Sequence, residues 1–252
     1  MLPDLSAILP AGILSGHFAA MAVVVFTAAL TQGIGGIGFA MVSAPISVLL
    51  FPELVPGPML VLGTGLAFLA AMRDFVSINW RSLGVIMGGR IVGTIAGAAI
   101  MSTLSATLFG VVLAILILIG VIMSVSGWKV GATDPALVAA GAASGLMGTI
   151  TSSGAAPYAI VMQRVPAAEL RGTMGSVFFV GGLLSLVALA AFGHFTIEQF
   201  WLGLILFPPM IFGFAISTPL TRFFSREAMR IFLLALAAAG SIGILIRAAL
   251  IG

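Results

Sequence analysis

Two stretches, 112 residues apart, interrupt an otherwise apolar chain with one pattern: Gly33-x-x-Gly36-x8-Pro45 and Gly145-x-x-Gly148-x8-Pro157. Gly63 and Gly175 carry the same offset into the next segment. Glycines free the backbone and a proline restricts it, so each pattern breaks the regular hydrogen bonding that an apolar run needs in lipid. Such backbone persists at membrane depth only where protein buries it or where it lines a wet cavity. Matched interruptions in two halves of a membrane chain point to a transporter's central site.

Composition places the chain in the bilayer. Of 252 residues, 61% are hydrophobic and 7% charged, against about 25% charged in ordinary soluble domains. Apolar runs near the roughly 20 residues that span a bilayer recur along the whole sequence and leave no soluble domain. The ten basic residues therefore read as topology signals, and the expected partner is the lipid bilayer, with no nucleic acid. No cysteine is present and the two histidines lie far apart, so neither a metal site nor a cofactor is expected. The start, Met1-Leu2-Pro3-Asp4, has no basic region before its apolar run, which argues against a cleaved signal peptide.

The first apolar stretch runs from about His17 to Phe51 and breaks at Gly33–Gly38; segments near 54–72, 83–101 and 107–126 follow. Lys129, Gly131, Asp134 and Pro135 form a linker. A broken stretch near 136–163 and segments near 173–192, 202–220 and 228–246 repeat the plan. The expected organisation is an N-terminal transmembrane repeat, 1–130, and a C-terminal one, 131–252, forming one transport domain. Towards the repeat ends the offset becomes 120, which pairs Gly93 with Gly213 and Arg90 with Met210.

Charge decides how the broken stretches run. If each crosses the membrane once, the loop positives divide almost evenly: Arg73, Arg81, Lys129 and Arg247 against Arg164, Arg171, Arg222, Arg226 and Arg230. If each returns as a hairpin, only Arg247 stands apart. The positive-inside rule favours hairpins, with both termini periplasmic. Arms of about 14 residues, roughly 21 Å, also fall short of the roughly 30 Å core. The expected fold is an all-α polytopic membrane protein of two inverted repeats, each a re-entrant helical hairpin plus three transmembrane helices.

The glycine-rich hairpins Gln32-Gly-Ile-Gly-Gly-Ile-Gly38 with Pro45 and Ser144-Gly-Leu-Met-Gly148 with Pro157 resemble the TauE/SafE sulfite exporter family. So do the small-residue helices around Gly88-Gly89-Arg90-Ile-Val-Gly93 and Gly213. The resemblance covers nearly the whole chain and implies export of sulfite or small organosulfonates across a bacterial inner membrane. Met147 stands where the first hairpin has Gly35, and Thr149 and Ile150 replace Ile37 and Gly38, so the hairpins are chemically unequal.

Physically, the hairpins suit a small anion. Glycines let amide N–H groups face a ligand, and a helix N-terminus adds positive potential. The candidate binding residues are Gln32, Gly33, Gly35, Gly36 and Ser43 in the first hairpin, and Gly148, Thr149, Thr151, Ser152, Ser153 and Gly154 in the second. Gly38, Pro45 and Pro157 are candidate hinges; each proline either starts the returning helix or kinks it. The competing reading is that these small residues only permit tight helix packing. Arg90, about 10 Å deep, is the remaining candidate; it either contacts the anion or snorkels to the surface. Every acidic residue maps to a loop or segment end, so no carboxylate proton relay is expected, and membrane potential alone favours anion export. No nucleophile has a deep histidine or acid partner, which argues against an enzyme. An anion channel or an ion-coupled permease for another organic anion is the alternative, and a homo-oligomer stays open.

Overall fold

The computed structural model describes residues 16–35, 39–128, 130–220, 223 and 226–251, and every regular element among them is helical. The first broken stretch forms α1 (Gly16–Gly35) and α2 (Phe39–Leu50), followed by α3 (Gly57–Arg73), α4 (Trp80–Met101) and α5 (Ala106–Val125). The second forms α6 (Asp134–Thr151) and α7 (Ala156–Val161). After it come α8 (Ala167–Ala191), α9 (Ile197–Ile205), α10 (Phe207–Leu220) and α11 (Arg226–Ile251). Six stretches among the described residues are long and apolar enough to cross a membrane: α1, α4, α5, α8, α9 with most of α10, and α11. The chain is an all-α, multi-pass membrane protein.

Three details differ from the sequence reading. The entering arms are long, because α1 has 20 residues and α6 has 18, about 30 and 27 Å. The returning arms are short: α2 has 12 residues and α7 only six. Gly33 and Gly145 do not break their helices, since packing against neighbours outweighs their low helix propensity; a Cβ at Gly33 would meet the Ser217 hydroxyl of α10. The second break falls instead at Ser152–Ala155, where Ser152 takes a left-handed φ of 59°. Finally, the expected segment at 202–220 is two helices meeting at Leu206, with Pro208 and Pro209 in the first turn of α10, where proline is tolerated. Gly36 and Gly38, like Asp4, Lys129 and Arg222, lie outside the described residues.

Each broken stretch returns to the face it entered. Gln163 donates to the Trp128 carbonyl at 2.8 Å, and the Val130 amide donates to Ile160 at 3.3 Å, so the end of α7 meets the chain that leads into α6. His17, at the start of α1, pairs with Glu53, just beyond α2. Polar contacts then define two opposite ends of the bundle. At one, Asp74 accepts hydrogen bonds from both Arg73 and Arg171, Asn79 donates to Glu169, and Arg81 pairs with Asp134. Hydrogen bonds from Arg171 and then Arg73 hold the Asp74 carboxyl below the usual carboxylate range, against a desolvation that opposes them. At the other end, His194 meets Ser102 and Arg247 donates to the Leu49 carbonyl. A single crossing per broken stretch would put Arg73 and Arg171 on opposite faces; their shared carboxylate joins them.

The tightest packing lies between α4 and α6. A Cβ at Gly89 or Gly93 would sit 2.0 Å from the Val138 carbonyl oxygen or 1.9 Å from that of Ala142. From the other side, one at Gly141 or Gly145 would sit 2.2 Å from the Ile86 oxygen or 2.4 Å from that of Arg90. Glycines at intervals of four on both helices thus bring backbone against backbone, as small residues do in membranes. Gly93→Val should cost about 1–3 kcal/mol or more by overpacking. Gly88→Ala, at a position with open space around it, should be neutral or mildly stabilising. Thermal unfolding of both purified variants in detergent checks the contrast.

Candidate functional site

The close approach of α4 and α6 places Arg90 at the centre of the bundle. Because α4 begins at Trp80, Arg90 lies ten residues in, about 15 Å along a 22-residue helix, deeper than the sequence reading placed it. Its side chain is only 3% exposed, so it does not snorkel to the surface. Two glycines make the room. A Cβ on Gly181 of α8 would overlap the Arg90 Nε, and one on Gly148 of α6 would touch Nη2 at 3.4 Å. Nη1 donates to the Ser144 hydroxyl at 2.5 Å, and Cζ lies 5.8 Å from the Phe178 ring centroid. Nε has no hydrogen-bond partner, and no carboxylate among the described residues pairs with the guanidinium. A buried cation left this way is costly unless an anion completes it.

The second hairpin wraps this group. Gly154 returns against Ser144 and Gly148: its Cβ would sit 2.6 Å from the Ser144 hydroxyl. The Gly154 amide nitrogen and Arg90 Nη2 both lie within 4 Å of the Gly148 Cβ position, so two donors converge there. Tyr158 of α7 packs edge-on against Phe178 at 5.8 Å, with its buried hydroxyl unpartnered. Pro157 falls in the first turn of α7 and starts the returning helix, whereas Pro45 lies inside α2. At six residues α7 is too short to supply the helix-terminus potential that the sequence reading invoked.

The remaining candidates are occupied locally. Thr149 and Thr151 donate to the carbonyls of Gly145 and Met147, each four residues back. Ser43 does the same to Phe39, and Ser152 donates to the Pro56 carbonyl at 3.0 Å. The Ser153 amide donates to the Thr151 hydroxyl at 3.1 Å, which knits the break together. Gln32 accepts the Phe39 amide at 2.8 Å and so caps the start of α2 across the first break. Gly33 and Gly35 belong to the last turn of α1, which packs on α10 and not on Arg90. The structure thus gathers Arg90, Gly148 and Gly154, and leaves the described first-hairpin residues Gln32, Gly33, Gly35 and Ser43 apart. Sequence reasoning does not single out Ser144, Phe178, Gly181 or Tyr158. Ser144 carried a signal, as the mate of Gln32 at the 112-residue offset.

Apolar clusters close both sides of the polar layer. Towards the arginine-rich end lie Leu83, Ile86, Leu137, Val161 and Val177; towards the other end lie Leu60, Ala98, Met101, Ile150 and Leu189. Such an arrangement would keep a charged group between the clusters away from water on both sides.

Against known protein families, the model described as sulfite exporter TauE/SafE matches residues 21–244. No curated protein and no solved structure matches the chain.

The energetics of the Arg90 site are open to measurement. Ser144→Ala removes the one hydrogen bond that the guanidinium makes among the described residues and should destabilise by about 1.5–3 kcal/mol, the range for bonds to charged groups. Arg90→Met should be neutral or stabilising, since an apolar residue of similar length replaces an uncompensated buried charge. In the Arg90→Met background Ser144→Ala should lose most of its effect, a coupling that a double-mutant cycle on unfolding free energies reads directly.

Proposed function

The chain belongs to the sulfite exporter TauE/SafE family, and from that premise we propose that it exports a small sulfur oxyanion, sulfite or an organosulfonate such as sulfoacetate, across a bacterial inner membrane. One observation carries the reading: a guanidinium buried midway along a membrane-length helix, with a single hydroxyl partner and no counter-ion among the described residues. An oxyanion supplies the missing charge and accepts from Nε, Nη2 and the Gly154 amide together. Arginine suits this role because its planar fork matches the geometry of such groups.

Alternating access explains the two apolar closures. The anion enters from the arginine-rich end, is held between the clusters, and leaves when the opposite one parts. Helix pairs that exchange at the repeat offset support two inverted halves moving about the site: α4 packs on α6 as α10 packs on α1, and α11 on α2 as α5 on α7. Export needs no coupling ion, because a negative interior drives each charge outward by about 2.3 kcal/mol per 100 mV. The placement of Glu53, Asp74, Asp134, Glu169, Glu198 and Glu227 at helix ends or in loops accords with that mechanism.

Two tests address this reading. Arg90→Met, folded and monodisperse, should lose at least about tenfold in sulfite affinity, the scale of a hydrogen-bonded charge, and most counterflow of labelled sulfite in proteoliposomes; lysine should restore part of it. Normal counterflow by the methionine variant would remove Arg90 from the pathway. For orientation, the chain's lack of cysteine allows single-residue labelling. Gly131→Cys should react with a membrane-impermeant maleimide only after lysis, and selective reaction in intact cells would invert the assignment.

A further inference from the structure

We propose that Thr64, Thr94 and Ser185 form a second oxyanion station, one helical turn beyond Arg90 on the path to the outer closure. The inference rests on the transport reading above. Six of the thirteen described buried serine and threonine hydroxyls donate to a carbonyl of their own helix, Thr149, Ser124 and Ser176 among them. Such back-bonding is the ordinary fate of serine and threonine in an apolar helix. Thr64 and Thr94 depart from it. Their side chains are 7% and 2% exposed, yet neither hydroxyl has a partner. Ser47 and Ser241 share that feature, but sit on α2 and α11, which pack on one another away from Arg90.

Helix register places Thr94 and Ser185 one turn beyond Arg90 and Gly181, and Thr64, beside Gly182, one turn short of Leu60. Residues four apart share a helix face. On α4, Thr94 stands between Arg90 and Ala98; on α8, Ser185 stands between Gly181 and Leu189. On α3, which runs the opposite way, Thr64 precedes the outer closure by the same interval from Leu60. Ala98, Leu189 and Leu60 belong to one buried cluster, and Gly181 lies against Arg90. The three hydroxyls therefore lie between them. Gly182 removes the obstacle between α3 and α8, since its Cβ would overlap the Thr64 hydroxyl. Ser185 is paired with Thr149 at 2.9 Å; with the Thr149 proton given to the Gly145 carbonyl, Ser185 is the donor and is free to turn.

Three rotatable O–H donors match the three oxygens of a sulfite or sulfonate group. They carry no charge, so they accept the anion from Arg90 without trapping it. The station lowers the barrier to leaving the guanidinium and contributes little to resting affinity.

The test is Thr64→Val with Thr94→Val, a near-isosteric exchange that removes two unpaired hydroxyls. Efflux of labelled sulfite from proteoliposomes should fall by about tenfold or more, the scale of one or two lost bonds to an anion. Sulfite affinity by calorimetry should stay within a few-fold of wild type, and the melting temperature should not drop. Thr64→Ser with Thr94→Ser keeps both hydroxyls and should keep the efflux rate. Should the double valine variant fail to fold, Thr94→Val alone carries the same comparison. Wild-type efflux in the valine variant, or equal losses in the serine and valine variants, overturns the station. A wild-type protein that neither binds nor moves sulfite overturns the transport reading itself, which is a separate result.

Discussion

The approach of α4 to α6 is the constraint on which the rest of the structure depends. Ordinary side chains hold helix axes about 8–10 Å apart. Here glycines at 89, 93, 141 and 145 remove the spacers, and each helix presses on the other's carbonyls. The gain is positional. With the backbones in contact, Arg90 meets Ser144 across the interface, and Gly148 and Gly181 leave a space the size of its guanidinium. Loss of any one glycine would push the helices apart or displace the charge. The same close contact makes the hairpin a stable part of the bundle, although its return, α7, is six residues long.

Within that frame the hydroxyl groups divide by where their single proton goes. Thr149, Thr151 and Ser43 return it to their own helix, and Ser152 gives it to the carbonyl of Pro56, where α3 begins. These bonds stabilise the breaks and leave few donors for a ligand in this conformation. Arg90 Nε, the Tyr158 hydroxyl, Thr64 and Thr94 have no such outlet. An unpaired buried polar group typically costs 1–3 kcal/mol, so these groups lower the stability of the protein without a ligand.

Much of the fold was legible because lipid imposes strong rules on sequence. Uneven distribution of arginines favoured returning hairpins over single crossings, and the contacts joining Arg73, Asp74 and Arg171 agree. Arg90 stood out as a charge inside an apolar run. What escaped reading depends on tertiary partners. The glycine pattern suggested breaks at Gly33 and Gly145, but neighbouring helices hold both positions helical, and α1 grows to 20 residues. Ser144 and Gly181 look unexceptional along the chain; only the position of Arg90 gives them meaning. The Thr149–Ser153 run resembled a donor cluster because sequence shows hydroxyls and not the carbonyls four residues behind them.

The charge has no counterpart at the repeat offset read from the sequence. At the repeat offset Arg90 corresponds to Met210, which is fully buried in an apolar cluster with Val25 and Ala28 of α1. The scaffold thus packs the same position with either a thioether or a guanidinium. A second arginine there would bury another cation among apolar side chains, at further desolvation cost. For the proposed carrier, handling one anion at a time, one is enough. In the proposed mechanism it also links occupancy to movement: the empty site carries an uncompensated charge, and a bound monoanion neutralises it. Desolvation then resists closure around the empty site more than around the loaded one. A single buried arginine in an otherwise apolar bundle can therefore set both what is carried and when the closures exchange.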